Sequence, residues 1–114
     1  MEFGVSSETV ETALVINVHG DVDLATAPIL WEYLTAQWSG TTPLIANLAQ
    51  VPFMDSTGLS VLVRAVEQAN LDGGSVAVAN ASARVLKVMT ITGLDTFIYI
   101  GESIAECVRA TESR

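Results

Sequence analysis

The residues best equipped for chemistry in this chain lie in Pro52-Phe53-Met54-Asp55-Ser56-Thr57-Gly58-Leu59, where two hydroxyls and a carboxylate adjoin a glycine. A strand-like run ends just before this segment and a helical run begins within it, the place where α/β sheets present backbone amides and polar side chains to ligands. A helix cap accounts for Asp55 or Ser56 at that position, since either side chain takes an orphan amide at a gain of about 1 kcal/mol. A second polar cluster, Asp21-Val22-Asp23 with Thr26, has the composition of a turn-forming, solvated pair of carboxylates.

Catalytic and metal chemistry are poorly served by the remaining residues. The nucleophile elbow G-x-S-x-G needs glycine two residues before the serine, and Met54 stands there. His19 is the single histidine; its place upstream of the serine breaks the hydrolase order, and its strand-end position beside Gly20 fits a structural role. The chain is therefore expected not to be an enzyme. One His and one Cys do not make a zinc site, and Asp21-x-Asp23 is followed by Ala25 where a calcium loop needs another oxygen ligand. Gly73-Gly74 reads as a turn before a strand, because no Gly-Lys-Ser/Thr follows it. No metal and no cofactor are expected.

Composition narrows the classes further. The 114 residues fit one domain, 1–114, and with 50% of them apolar the chain buries a core without staples. Thirteen acidic against five basic side chains give a net charge of −8, which repels nucleic-acid backbones and anionic membrane surfaces. Neither direct nucleic-acid binding nor membrane binding is expected. Met1-Glu2-Phe3-Gly4 shows no basic region leading into an apolar core, and no apolar run approaches the roughly 20 residues of a membrane span. With Cys107 the lone cysteine, read as a buried and inert thiol, the expected location is cytoplasmic.

The elements that must position the serine follow from periodicity. Residues 13–18 form a strand-like run stopped at His19-Gly20, and residues 3–10 precede it as an edge strand. Thr26 stands as the cap of a helix that tolerates Pro28 in its first turn and repeats Ala27, Leu30, Trp31, Leu34 and Trp38 before Gly40 ends it. Residues 44–48, 76–79 and 97–100 read as short strands of the sheet interior. Between them lie helices over 57–70 and 82–92, the latter closed by Gly93 with Leu94 placed for a Schellman-type contact. A last helix starts at Ser103, spaced from Glu106 as a capping box. Strands separated by helices require crossovers, hence an α/β fold with a mixed, mostly parallel sheet in the order β-β-α-β-α-β-α-β-α. Helical spacing after Ser56 places Leu59, Leu62, Val63, Val66 and Ala69 in the core, and Thr57, Ser60, Val61, Arg64 and Gln68 outside.

Taken in order, Gly20-Asp21-Val22-Asp23-Leu24-Ala25-Thr26-Ala27-Pro28, then Asn47-Leu48-Ala49-Gln50-Val51-Pro52-Phe53-Met54-Asp55-Ser56-Thr57-Gly58-Leu59, then Ala83-Arg84-Val85-Leu86-Lys87-Val88, then Thr92-Gly93-Leu94-Asp95 resemble the successive signatures of the STAS domain of bacterial anti-sigma factor antagonists. The resemblance runs nearly end to end. It departs at Ser60, where family members often carry glycine, and at Asp21, where glutamate is common.

The resemblance implies a switch. Ser56, directly after the aspartate, is the position phosphorylated in the family, with Thr57 its hydroxyl-bearing neighbour. The unphosphorylated form would bind an anti-sigma factor that is itself a serine kinase, releasing the sigma factor. Phosphorylation by that kinase would end the binding, and a serine phosphatase of the metal-dependent class would restore it. The partner-contact set is then Asp21, Asp23, Thr26, Asp55, Ser56, Thr57, Gly58, Leu59 and Ser60, on two segments expected side by side at one end of the sheet. The fold itself is expected to tolerate the phosphate, because the helix dipole and free first-turn amides favour an anion at Ser56. The alternatives within the same fold are a STAS subunit of a transport or stress-signalling complex, and an interaction domain without a switch.

Overall fold

The computed structural model describes residues 2–112. A five-stranded sheet, ordered β1 (Gly4–Val10), β2 (Ala13–His19), β3 (Pro43–Gln50), β4 (Ser75–Ala79) and β5 (Tyr99–Gly101), forms its middle layer. The edge strand β1 pairs antiparallel with β2 over all seven of its residues, and the other neighbours are parallel. Parallel neighbours need crossovers, and the chain supplies helices α1 (Ala27–Gln37), α2 (Ser56–Asp72) and α3 (Ala83–Ile91) between successive strands, then α4 (Ile104–Glu112) after the last.

From β2 to β5 each new strand is added on the same side of the one before. Crossovers of a single hand therefore carry α1, α2 and α3 to the same face of the sheet. Alternate strand residues serve the two layers. Ile16, Val18, Leu44, Ala46, Leu48, Val76 and Val78 pack with Leu30, Leu34, Leu59, Leu62, Val85 and Met89 of those three helices. Ala13, Val15, Ile45, Ala77 and Ala79 face the other way, against Cys107 and Val108 of α4. Being covered on both faces, β4 is buried at all five positions, the pattern of a continuous apolar strand.

Several local expectations change. The strand expected over 97–100 is shorter and lies at the sheet edge. Gly93 takes a left-handed conformation (φ 78°) and turns the chain into a single 3-10 turn, Leu94–Thr96, which sinks Leu94 into the core. Phe97 is left outside the strand and exposed. At α2 the assignment of two valines is exchanged. Val61 is buried and Val63 exposed, because α2 packs against α1 as well as the sheet and its buried arc is rotated towards α1.

The caps also differ in part. Thr26 precedes α1, but its hydroxyl does not cap the helix; it donates to the Asp21 carbonyl oxygen at 2.7 Å. α1 ends at Gln37, ahead of Gly40. Trp38 leaves the helix in extended conformation, its ring buried and its indole N–H donating to the Thr42 carbonyl at 2.9 Å. Ser82 caps α3 by accepting from the Val85 amide at 3.2 Å. Ser103 accepts from the Glu106 amide at 3.0 Å, while the Glu106 carboxylate reaches the Glu102 amide at 3.3 Å and takes the Tyr99 hydroxyl at 2.7 Å. Half of a capping box is thus made, and its other half ties α4 back to β5.

Candidate functional site

The loop that follows β2 and the segment that enters α2 are joined by backbone. Val22 bridges Met54, the Val22 amide donates to the Phe53 carbonyl at 3.0 Å, and the Asp55 amide donates to the Val22 carbonyl at 3.2 Å. This extends the β2–β3 pairing past the strand ends and brings together the two polar segments read from the sequence. Gly58 permits the closeness: a Cβ there would lie 2.9 Å from both Cγ1 and the carbonyl oxygen of Val22 and 2.6 Å from Cγ of Met54. From the α3 side, Arg84 lies over the Phe53 ring at 5.4 Å from its centroid.

Within that frame Asp55 is the cap of α2. One carboxylate oxygen accepts the amides of Thr57 at 2.9 Å and Gly58 at 3.2 Å, and also the Thr57 hydroxyl. The Thr57 hydroxyl holds the Asp55 carboxyl below the usual carboxylate range; partial burial opposes this, and the amides of Gly58, Thr57 and Leu24 reinforce it. The Leu24 contribution comes from the neighbouring loop, so one ionised side chain serves both segments. The Leu59 amide donates to the Asp55 carbonyl at 3.1 Å.

Ser56 is the first residue of α2 and is exposed. Among the described residues its hydroxyl makes no hydrogen bond, and its carbonyl accepts the Ser60 hydroxyl at 2.9 Å. Among the described residues, the expectation of free first-turn amides for an anion at Ser56 is met by the Ser56 amide alone. Of the four orphan donors of the helix start, Thr57 and Gly58 are held by the Asp55 carboxylate and the Asp55 amide by the Val22 carbonyl.

In the adjoining loop Asp23 accepts the amides of Ala25 at 3.0 Å and Thr26 at 3.1 Å, and its own amide donates to the Thr26 hydroxyl at 2.9 Å. Asp23 and Thr26 thereby fix the loop, while the Asp21 side chain is exposed beside them. Gly58 and Leu59 are buried beneath the surface, and Thr57 is half-buried with Ser60 exposed on the next turn. Sequence reasoning missed the apolar surroundings. Ser56 opens on a groove of about 440 Å³ between α2 and the 3-10 turn, lined by Leu59, Val63, Val66, Leu94 and Phe97, with Phe97 74% exposed. On the other side Leu24 is 76% exposed. The signal was present at Leu24, a large apolar residue inside a turn whose polar neighbours give it no periodic route to the core.

His19 is occupied elsewhere: its Nδ1 lies 3.0 Å from the Glu2 carbonyl oxygen, and its ring fills the space over Gly4. Among the described residues no hydrogen bond links it to Ser56, and no three His, Cys, Asp or Glu side chains gather as a metal site. The Cys107 thiol is buried and donates to the Val78 carbonyl at 3.3 Å; burial pushes its pKa up. No helix of the described residues is long and apolar enough to cross a membrane.

A mixed sheet layered by helices, with an exposed hydroxyl at the start of α2 beside a braced loop, defines a layered α/β domain whose two polar segments share one end of the sheet. Residues 5–107 match the STAS domain family, and the chain belongs to it. It is 34% identical over 100 residues to the anti-sigma-B factor antagonist of Bacillus subtilis strain 168, spanning 88% of this chain and 92% of that protein. An anti-sigma factor antagonist from Mycobacterium paratuberculosis superposes with a TM-score of 0.88 at 23% identity, over 97% of this chain and 95% of that one. The Bacillus cell fate determinant SpoIIAA in its phosphorylated form superposes with a TM-score of 0.69 at 21% identity, over 96% and 98%. At such identities these two structures establish the fold alone.

Proposed function

We propose that this chain is an anti-sigma factor antagonist whose binding is switched off by phosphorylation of Ser56. The observation that carries the reading is the exposed Ser56 hydroxyl, without an internal hydrogen bond, on the first turn of α2 in a chain related over nearly its whole length to an anti-sigma-B factor antagonist. The partner is an anti-sigma factor serine kinase, which meets the joined surface of Asp21, Asp23, Thr26, Thr57 and Ser60 around that hydroxyl. Asp55, Gly58 and Leu59 hold the surface in shape from beneath. A serine phosphatase of the metal-dependent class removes the phosphate and returns the chain to its binding form.

Electrostatics supports the direction of the switch. A phosphoryl group adds roughly −1.5 to −2 charges. It would stand beside the ionised Asp55 with most first-turn amides already used, so little on this surface neutralises it. Desolvating such a charge in an interface costs about 3–5 kcal/mol, or two to three and a half powers of ten in affinity.

Intact-mass measurement after incubation with ATP and each purified candidate serine kinase of the host tests the site. The expected result is a gain of about 80 Da, one phosphoryl group, in the wild-type chain and none in Ser56→Ala. An equal gain in both, or capture of a transport ATPase in place of any kinase, would overturn the reading.

A further inference from the structure

Arg64 lies on the exposed side of α2, two turns beyond Ser56, with its guanidinium carbon 4.0 Å from the centroid of the Trp31 ring of α1. The stack joins the two helices and restricts a side chain that is usually free to rotate. Stacking uses the flat face of the guanidinium and leaves its N–H edge available for a planar acceptor. Among the described residues no carboxylate lies within ion-pair distance of it, in a chain with thirteen acidic side chains and five basic ones. A groove of about 460 Å³ runs along this pair between α1 and α2, lined by Leu24, Pro28, Trp31, Thr57 and Ser60 as well as Arg64. Among the described residues Ser60 makes no hydrogen bond to the guanidinium; its hydroxyl donates to the Ser56 carbonyl.

The geometry points to this groove as the specificity pocket for the protein partner, taking one apolar side chain between Leu24 and Trp31 and one carboxylate on Arg64. This rests on the reading of the chain as an antagonist that binds an anti-sigma kinase. Charge decides the occupant. Glu32 lines the groove, and Asp21 and Asp23 stand on the loop that gives it Leu24, in a chain of net charge −8, so a polyanion is repelled and the partner's face is mainly basic. On such a face a lone, pre-positioned arginine is repelled unless an acidic residue meets it, which fixes register and rejects partners that lack that acid. Ser60, the position at which the chain departs from the family's usual glycine, lies in the same groove.

The test is calorimetric titration of the purified host kinase that phosphorylates Ser56, using wild type, Arg64→Leu, Arg64→Lys and Arg64→Glu. Arg64→Leu keeps an apolar stem against Trp31 and removes the charge. It is expected to weaken binding at least about tenfold with the melting temperature held within a few degrees. Arg64→Lys should recover only part, because the ammonium lacks the planar fork. Arg64→Glu should be rescued by exchanging one exposed Asp or Glu of the kinase for Lys, and by no other exchange. If wild type binds the kinase and Arg64→Leu binds it equally, or if Arg64→Leu loses affinity only in proportion to stability, the specificity role is wrong while the antagonist reading stands. If wild type binds no kinase, the antagonist reading itself fails.

Discussion

Asp55 and Ser56 are adjacent and polar, and either suits a helix start, yet the structure divides their tasks completely. Asp55 turns back over the first turn of α2 and takes its amides, and this leaves the Ser56 hydroxyl to the surface. The division has a pH signature. The Asp55 carboxyl is held below its ordinary value of 3.8 by the Thr57 hydroxyl and the nearby amides. A carboxyl lowered on folding adds stability above its unfolded pKa, and loses that contribution as pH falls through the folded value. The advantage of wild type over Asp55→Asn in urea unfolding is therefore expected to be constant from neutral pH down to about 4 and to shrink below it. A difference that grows on acidification would show that the carboxylate is not the stabilising form. In sequence the pair is ambiguous because cap preference ranks Asp and Ser nearly alike, and only the path of the backbone past Val22 decides between them.

At the level of elements, α2 separates what periodicity can and cannot give. Its length, its start beside Ser56 and most of its buried arc follow from spacing, but Val61 and Val63 exchange places. A single helical stripe assumes one packing partner, whereas α2 touches the sheet and α1 together, and the second contact recruits Val61. The consequence is a measurable inversion. Val61→Ser buries a hydroxyl among apolar neighbours and is expected to cost about 2 kcal/mol, whereas Val63→Ser should stay within about 0.5 kcal/mol. Chemical denaturation of the two variants checks it; equal losses would mean that α2 is not rotated towards α1. Phe97 failed for a related reason. Its apolar neighbours read as a strand, but Gly93 sets a 3-10 turn that consumes the residues a longer β5 would need. The strands β2, β3 and β4 were legible because burial on both faces leaves a nearly continuous apolar run. The site segments were legible as polar punctuation between runs, and the apolar groove beside Ser56 was not, because it is assembled from α2 and residues some thirty positions later.

For the molecule as a whole, the question is whether a phosphate at Ser56 acts on the fold or on the surface. The core lies in two layers on either side of the sheet, and its buried clusters do not include Ser56. The added dianion meets the Asp55 charge, but at an exposed position where water and salt screen the repulsion. In a domain of this size a repulsion so screened is worth about 5 °C at most in melting temperature. The same charge in an interface faces the full cost of desolvation, and a chain already at −8 has few cations nearby to offset it. The phosphorylated chain is therefore expected to melt within about 5 °C of the unmodified one and to keep its circular dichroism, while its affinity for the kinase partner falls by at least about a hundredfold. Melting and binding measured on one preparation separate the two effects. If phosphorylation lowers the melting temperature by tens of degrees, the switch works through unfolding; if the fold holds and binding holds too, Ser56 lies outside the surface the partner covers.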